Sequence, residues 1–196
     1  GSRITRQDYS SSSPVVTVGA EQIESFGNIT VEQALNVLPQ FVEGQNAGTV
    51  AIGGGGGATL NMRALGSNRN LILADQRRLP VATPFGDVDV NIIPTVALRG
   101  VEVLTGGASS VYGSEAISGV VNFQTAAYFD GLRINVDYGD AFEGGAEHFD
   151  TSAIFGSDDE RARGVFSVGY TDRSPLRGRD RDFFDLQVDP EEGVDL

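Results

Sequence analysis

Few residues of this sequence could supply a nucleophile and its base. Ser109 and Ser110 are adjacent hydroxyls, and His148 is the one histidine among the 196 residues. A catalytic serine needs a base within hydrogen-bonding distance, whereas a single histidine in a predicted loop of another region is usually only solvated. The chain also has no cysteine, which excludes a cysteine nucleophile, a thiolate metal site and a disulfide. We therefore predict that the chain is not an enzyme.

Asp87, Asp89 and Asn91 begin like a calcium-binding loop, with oxygen-bearing side chains at alternate positions. Such a loop also needs a glycine at its sixth position and a glutamate at its twelfth. Ile92 and Leu98 occupy those two positions here, and neither meets the requirement. A structural turn is the better interpretation, and we predict no metal ion.

Two glycine-rich stretches could approach a phosphate group. Five consecutive glycines at 53–57 match the glycine spacing of a dinucleotide-binding turn, as any run of glycines would. That turn must open a helix, whereas Thr59–Met62 alternates like a strand. Gly106-Gly107-Ala108-Ser109 could form an anion-binding nest, although the chain lacks the lysine of a P-loop. A loop and a tight turn between strand and helix are the simpler interpretations, so we predict no nucleotide cofactor.

Charge changes sharply along the chain, whose formal net charge is −13. Residues 1–125 carry 7 arginines and 10 acids, whereas residues 126–196 carry 7 arginines and 17 acids. This change predicts a boundary between residues 1–126 and 127–196. A strongly acidic protein repels polyanions, so we predict no nucleic-acid partner.

Short strands and short helices alternate in residues 1–126. Thr30-Val31-Glu32-Gln33 has the order of a capping box, and apolar residues at helical spacing follow it as far as Pro39. The pattern predicts an α+β fold, a small mixed-sheet domain with short helices. The other predicted elements are a helix at Ala20–Phe26 closed by Gly27, a short helix at Ile93–Leu98 with Pro94 as its first residue, and strands at Val15–Val18, Leu60–Arg63, Leu71–Ala74, Val101–Leu104 and Gly119–Phe123.

Residues 127–196 change to a period of two. Strands of about nine residues with one apolar and one polar face are typical of a transmembrane barrel. An ordinary antiparallel sheet with one solvated face gives the same alternation, and periodicity alone favours that simpler interpretation. The alternating apolar positions are Leu132, Ile134, Val136 and Tyr138, then Phe149, Thr151, Ala153 and Phe155, then Phe166, Val168 and Tyr170.

Ile93–Phe123 resembles the plug-domain signature of TonB-dependent receptors. This segment reads IPTVALRGVEVLTGGASSVYGSEAISGVVNF. Upstream, Leu60–Asp75 resembles the family's Arg-Gly-Leu-Gly strand and the strand after it, and Gly1–Ile4 resembles the stretch that follows the TonB box. Residues 126–173 resemble the family's opening barrel strands. The resemblance implies a plug domain at 1–126, followed at 127–196 by antiparallel strands of an incomplete transmembrane barrel.

The resemblance implies a gated importer of the bacterial outer membrane, with no cofactor. The plug would occlude the barrel, external ligand would meet its apical loops, and TonB would pull on a segment just upstream of Gly1 to open a path. The implied partners are TonB, the remainder of the chain's own β-barrel, the outer membrane and an imported ligand that the sequence does not name. The alternative is a stand-alone periplasmic or secreted plug-like binding module.

The resemblance also assigns candidate site residues. The implied apical loops are about 44–59 and 77–91, and the candidate ligand contacts on them are Gln45, Asn46, Thr49, Arg77, Arg78, Phe85 and Asp87. The plug motif, which we interpret as structural, comprises Arg63, Gly66, Asp75, Glu102, Gly106, Gly107, Tyr112, Gly113, Gly119 and Asn122. We expect Gly66, Gly113 and Gly119 to hold backbone conformations that a side chain would disfavour.

Four residues depart from the family pattern. Ala64 stands where glycine is usual, and Gln76 stands where a glycine would close the turn after Asp75. If that turn needs positive φ, Gln76 strains it. Gly100 replaces a usual arginine, and Gln124 replaces a residue that is commonly apolar.

Overall fold

Short strands and short helices alternate in the first part of the chain, as the sequence predicts. The computed structural model describes residues 15–25, 30–46, 56–140, 147–159 and 162–174. No helix in these ranges has the length and apolar character needed to cross a membrane. The helices are α1 (Ala20–Ser25), α2 (Val31–Asn36) and α3 (Ser109–Tyr112), with 3₁₀ turns at Ser67–Arg69, Val90–Ile92 and Thr95–Ala97. The strands are β1 (Val15–Gly19), β2 (Phe41–Val42), β3 (Asn61–Met62), β4 (Asn70–Ala74), β5 (Arg77–Arg78), β6 (Leu98–Leu104), β7 (Gly119–Thr125), β8 (Gly131–Gly139), β9 (His148–Asp159) and β10 (Ala162–Arg173).

Five strands form a mixed sheet in the order β1-β6-β7-β4-β5. β4 runs parallel to β7, with Leu71 opposite Val120, and the other neighbours in this sheet are antiparallel. The two parallel strands are buried on both faces, which is why each reads as an almost continuous apolar run. Ile72 and Phe123 join the larger core cluster, whereas Leu71 and Val120 join a second cluster with Ala116. The mixed sheet with its short helices confirms the predicted α+β class.

The helix α2 buries the apolar face that its spacing predicts, but its first turn is not a capping box. Val31 and Leu35 are buried, one turn apart. Thr30 is the N-cap residue, yet no side chain caps the helix. The Thr30 hydroxyl donates instead to the carboxylate of Glu32, which is 1% exposed. A buried carboxylate needs a hydrogen-bond donor, and this need displaces the capping arrangement.

Two other predicted elements have different ends. The strand expected at Leu60–Arg63 is limited to Asn61–Met62, because Arg63 has a φ of 56° and leaves the extended conformation. Pro94 is the N-cap of the 3₁₀ turn Thr95–Ala97 and not the first residue of a helix. Phe26 and Gly27, predicted to close α1, lie outside the described residues.

β8, β9 and β10 form a separate antiparallel sheet in the order β10-β9-β8. Its register places the predicted apolar positions opposite one another, for example Ile134 against Ala153 and Ala153 against Val168. These positions therefore share one face, as the alternation predicts. The large apolar side chains exposed on that face are Leu132, Ile134, Val136, Tyr138, Phe149, Phe155, Phe166, Val168 and Tyr170.

The opposite face of this sheet rests on the rest of the chain. β9 and β10 both contact the 3₁₀ turn Thr95–Ala97. Ile154, which points away from the exposed apolar face, is 1% exposed. A Cβ at Gly156 would overlap the carbonyl oxygen of Phe129, so glycine permits this close approach. The three-stranded sheet thus packs against the 3₁₀ turn that precedes β6, and residues 126–130 connect it to β7.

Candidate functional site

Asn70, the first residue of β4, is the centre of a buried hydrogen-bond network. Its side chain is 4% exposed. Oδ1 accepts from the backbone N–H of Met62 at 3.1 Å and from Ser118 Oγ at 3.0 Å. Nδ2 donates to the carbonyls of Leu60 at 2.6 Å and Ser67 at 2.9 Å. The amide therefore uses two acceptor and two donor positions at once, and it fixes β3 against β4 and the chain that enters β7.

Arg63 connects the same region to the end of β6. Its φ of 56°, like that of Ala64, lies in the left-handed region, and the Leu65 N–H bonds the Met62 carbonyl to close a turn. The guanidinium donates to the carbonyls of Thr105 and Ser118, the second at 3.1 Å. Arg63 is therefore bound to the backbone just before Gly106-Gly107. The positive φ at Ala64 explains why glycine is the easier residue at that position.

A second polar network lies at the opposite end of β4. Asp75 and Gln76 have φ values of 47° and 66° and form the two-residue turn between β4 and β5. The Asp75 carboxylate accepts from the Thr125 N–H at 2.9 Å and from its hydroxyl at 2.6 Å. The Gln76 N–H donates to Asn122 Oδ1 at 2.9 Å, and Asn122 Nδ2 donates to Glu102 Oε2 at 3.1 Å. Three predicted motif residues thus meet here, and the strain expected at Gln76 is present.

The three glycines expected to disfavour side chains all have positive φ, 104° at Gly66, 92° at Gly113 and 151° at Gly119. Gly119 is the most constrained, because a Cβ there would overlap both the Leu104 carbonyl oxygen and Met62 Sδ. Gly106-Gly107 leads from β6 into α3, which agrees with the interpretation as a tight turn between strand and helix.

Three loop segments converge where β4 begins, and we call them the loop cluster: residues 43–46 with 56–59, residues 64–69 and residues 79–92. Hydrogen bonds join the described parts of the first and third segments. The Val90 N–H donates to the Ala58 carbonyl at 2.9 Å, and the Ala58 N–H donates to Asp89 Oδ1 at 3.0 Å. Asn91 Nδ2 donates to the Gly56 carbonyl at 2.8 Å. The described parts of the two predicted apical loops therefore lie side by side.

The middle segment of the loop cluster was not predicted to carry ligand contacts. Ser67 Oγ donates to Asp87 Oδ1 at 2.6 Å, and Asn68 Nδ2 donates to the Phe85 carbonyl at 3.2 Å. Both bonds tie this segment to residues 79–92. The polar side chains of residues 64–69 follow a short strand and show no periodic pattern. The sequence therefore gives no signal of these two hydrogen bonds.

A protein-family model described as the TonB-dependent receptor plug domain matches residues 7–120 of this chain. The chain belongs to this family.

Solved structures share the fold of the plug and the strands after it. The siderophore receptor PirA from Pseudomonas aeruginosa superposes with a TM-score of 0.59 at 22% identity over 82% of this chain and 29% of its own. The ferric enterobactin receptor PfeA from Pseudomonas aeruginosa, a mutant in complex with enterobactin, gives 0.62 at 18% identity over 84% and 26%. The ferric citrate transporter FecA, unliganded, gives 0.63 at 17% identity over 83% and 26%. The chain spans about a quarter of the length of these structures.

The predicted ligand-contact residues of the plug differ in what they are able to touch. Phe85 is 75% exposed, and Arg77 is also exposed. Arg78 forms an ion pair with Glu115 and donates to the Tyr112 carbonyl, so its guanidinium is already engaged away from the loop cluster.

The other candidates have structural partners or lie outside the described residues. The half-buried Asp87 accepts from Thr83 Oγ1 at 3.0 Å as well as from Ser67. The backbone of Gln45 pairs with Thr59, and Asn46 Nδ2 donates to Glu43 Oε1 at 3.0 Å. Thr49 lies outside the described residues. Among the described candidates, Phe85 is the one that belongs to the loop cluster and has a largely exposed side chain.

A cavity of about 740 Å³ separates the plug from the three-stranded sheet. Its plug side includes Thr30 and Asn91, and its wall includes Asp137, Asp150 and Arg173. Asp150 Oδ2 and Arg173 Nε and Nη2 are buried there without a hydrogen-bond partner in the structure. The wall facing the plug is therefore polar, in contrast to the opposite face of the same strands.

His148 lies beside Asp137 of the three-stranded sheet and not beside the serines of α3. His148 Nε2, on β9, is 3.0 Å from Oδ1 of Asp137, on the neighbouring strand β8. Ser109 and Ser110 begin α3, at the end of the turn from β6. Within the part of the chain that the structure describes, no three His, Asp or Glu side chains are grouped so as to hold a metal ion.

Proposed function

We propose that this chain is the plug and the first three barrel strands of an outer-membrane importer that TonB energises. The observation that carries the proposal is the division of the three-stranded sheet into two unlike faces. One face exposes a row of large apolar side chains, and the other presents polar residues and Ile154 to the plug. A strand between lipid and a plugged lumen needs this division.

Strand length supports the same proposal. β8 has 9 residues, and β9 and β10 have 12 each. About 9–11 tilted residues are enough for a strand to cross the hydrocarbon core of a bilayer. Side chains such as Ile134 and Val136 are more than half exposed, and their transfer from water into lipid is favourable by roughly 1.5–3 kcal/mol each.

In the proposed mechanism the plug is a gate and performs no covalent chemistry. The plug occludes the barrel, and the loop cluster meets ligand that arrives from outside the cell. TonB binds a segment upstream of Gly1 and pulls, and the plug rearranges until a path opens. The similar structures are those of a siderophore receptor, a ferric enterobactin receptor and a ferric citrate transporter, which supports uptake as the function.

Spin labels on adjacent residues of the complete receptor test the barrel assignment. These 196 residues contain no cysteine, so Ile134→Cys and Asn135→Cys each provide one labelling site once any cysteine in the rest of the receptor has been replaced. In outer membranes we expect the label at 134 to collide with lipid-soluble oxygen and the label at 135 to respond to a water-soluble nickel chelate. Equal access of the nickel chelate to both positions would support the stand-alone binding module instead.

Energised uptake tests the second half of the proposal. Cells that carry the receptor should accumulate its ligand, and removal of tonB should abolish accumulation while leaving binding at the cell surface intact. Accumulation that persists without tonB contradicts the proposed energy coupling.

A further inference from the structure

The turn between β4 and β5 is strained, and hydrogen bonds hold it to the end of β7. Asp75 and Gln76 both have positive φ, a conformation that residues with a side chain rarely adopt. The Asp75 N–H donates to the Phe123 carbonyl at 2.8 Å, and the Asp75 carboxylate accepts from the N–H and the hydroxyl of Thr125. Such strain persists only where the surrounding structure imposes it, and it is concentrated at functional sites. The strain is therefore an indication of function at this turn.

Asn122 supports the turn from inside the sheet. It is 8% exposed, and its Oδ1 accepts from the Gln76 N–H while its Nδ2 donates to Glu102 Oε2. Glu102 lies on β6, directly opposite Asn122 on β7. Buried polar groups need hydrogen-bond partners, and this amide has one at each end. The turn is therefore bound to both β6 and β7 through a single buried side chain.

Thr125 and Ala126 form the junction between the plug and the three-stranded sheet. β7 ends at Thr125, and residues 126–130 lead directly into β8. The Ala126 N–H donates at 2.8 Å to the carbonyl of Ala97, which belongs to the 3₁₀ turn that β9 and β10 contact. Two separate sets of hydrogen bonds thus hold consecutive residues at the point where the plug continues into the proposed barrel.

A pull on the N-terminal segment of the plug would load this junction last. β1 is an outer strand of the five-stranded sheet, and within the described residues it pairs with β6 alone. β7 is an inner strand with a hydrogen-bonded neighbour on each side. An outer strand has fewer bonds to break, so β1 should detach before β7. A load that persists after β1 has left must pass along β7 into residues 126–130.

Resting on the proposed importer function, we propose that Asp75 is a positioning residue that acts through Thr125. Its carboxylate clamps the end of β7 to the β4–β5 turn. The clamp keeps the C-terminal part of the plug folded against the barrel wall while the N-terminal part moves. A carboxylate is suited to this role, because hydrogen bonds to an ionised acceptor are stronger than those to a neutral one.

Force spectroscopy on the complete receptor in lipid bilayers tests the proposal. A handle attached N-terminal to Val15 is pulled, and the length of chain released at each event identifies the strand that has detached, because each extended residue adds about 3.3–3.6 Å. In the unaltered receptor we expect β7 to detach after β1 and at a higher force. In Asp75→Asn, which loses the charge and one acceptor oxygen, β7 should detach at a lower force and β1 at the same force. An unchanged force for β7 overturns the proposal.

Asp87→Asn is the matched control. Both oxygens of the Asp87 carboxylate accept hydroxyl hydrogen bonds, from Ser67 and Thr83, but this residue lies in the loop cluster and not at the junction. The force that detaches β7 should be the same in Asp87→Asn as in the unaltered receptor. Equal effects of the two substitutions would indicate a general loss of stability and would contradict the clamp.

A covalent bridge provides the reverse test. These 196 residues contain no cysteine, so Asp75→Cys and Thr125→Cys can be joined by a short thiol-reactive linker once any cysteine in the rest of the receptor has been replaced. Without the linker, the double variant should release β7 at a low force, as Asp75→Asn does. With the linker, the force should return at least to that of the unaltered receptor. A bridged variant that still releases β7 at the low force contradicts the assignment.

The outcome is distinguishable from failure of the importer function, because the pulling experiment needs neither TonB nor ligand. A lower force for β7 in Asp75→Asn, together with accumulation that persists without tonB, would support the clamp and contradict energised import. An unchanged force, together with accumulation that depends on tonB, would support import and overturn the clamp.

Discussion

The hydroxyl of Ser118 donates to Oδ1 of Asn70 over 3.0 Å and joins two positions that are 48 residues apart in the sequence. The same hydroxyl is 2.8 Å from the Arg69 carbonyl, and the Ser118 N–H also donates to that carbonyl. Ser118 immediately precedes β7, and Asn70 begins β4, its parallel neighbour. The two side chains therefore set the register of the parallel pair at its first residue.

Replacement of Asn70 by alanine should destabilise the plug by about 2–4 kcal/mol. The change leaves the buried Met62 N–H and Leu60 carbonyl without partners, and a buried unpaired polar group costs about 1–3 kcal/mol. Urea denaturation measures the effect. Asn68→Ala is the control, because the exposed Asn68 side chain makes one bond of 3.2 Å and its loss should cost under about 1 kcal/mol. Equal effects of the two changes would contradict the central role of Asn70.

Replacement of Gly119 by alanine should destabilise the plug by about 2–5 kcal/mol. The new Cβ would overlap the Leu104 carbonyl oxygen and Met62 Sδ, and the residue would keep an unfavourable φ of 151°. Gly19→Ala in the same sheet is the matched control, since no atom lies within 4 Å of a Cβ built there. Equal denaturation midpoints for Gly119→Ala and Gly19→Ala would contradict this prediction. They would show that the sheet accommodates the added methyl group without loss of stability.

Replacement by glycine should change the stability of the plug in opposite directions at the two residues of the β4–β5 turn. Gln76→Gly should stabilise the plug by about 0.5–1 kcal/mol, because glycine adopts positive φ without strain. Asp75→Gly relieves similar strain but removes both bonds to Thr125, so a net loss of about 1 kcal/mol is expected. Thermal denaturation of both variants checks the prediction, which fails if both changes shift the melting temperature the same way.

The isolated chain of 196 residues should differ in solution from a fragment of residues 1–126. The fragment lacks the three-stranded sheet, and we expect a monomer. The longer form exposes an apolar face and two unpaired strand edges, so it should self-associate or bind detergent. Light scattering with and without detergent measures the difference. A compact detergent-free monomer of the longer form would favour the stand-alone module.

Periodicity and local signals predicted most of the fold. The alternation along β8 to β10 predicted both the strands and the shared face, because each pattern lies within one short segment. The glycines at 66, 113 and 119 were predictable for the same reason, since a positive φ is a local property. The prediction of a capping box was wrong because Glu32 is buried by residues distant in the sequence. No local sequence pattern indicates that burial.

The site was less predictable than the fold. Asn70 escaped notice because its four partners come from three separate stretches of chain. Arg78 stays a predicted ligand contact, and its ion pair with Glu115 was not predictable, because that residue is 37 positions away and becomes a neighbour only in the folded state. Resemblance predicted the apical loops, and the hydrogen bonds of the structure were needed to separate the exposed ring of Phe85 from side chains that already have partners.

The position of β4 and β7 inside the five-stranded sheet has a consequence for amide hydrogen exchange. Both strands are paired on either side and covered by an apolar cluster on either face, whereas β1 and β5 are the outer strands of the order β1-β6-β7-β4-β5. Exchange requires an opening that exposes the amide, and core strands open least often. Deuterium should therefore enter Leu71–Leu73 and Val120–Phe123 last, long after β1 and β5 have exchanged. The central parallel pair is the part of the plug that persists while its margins open and close.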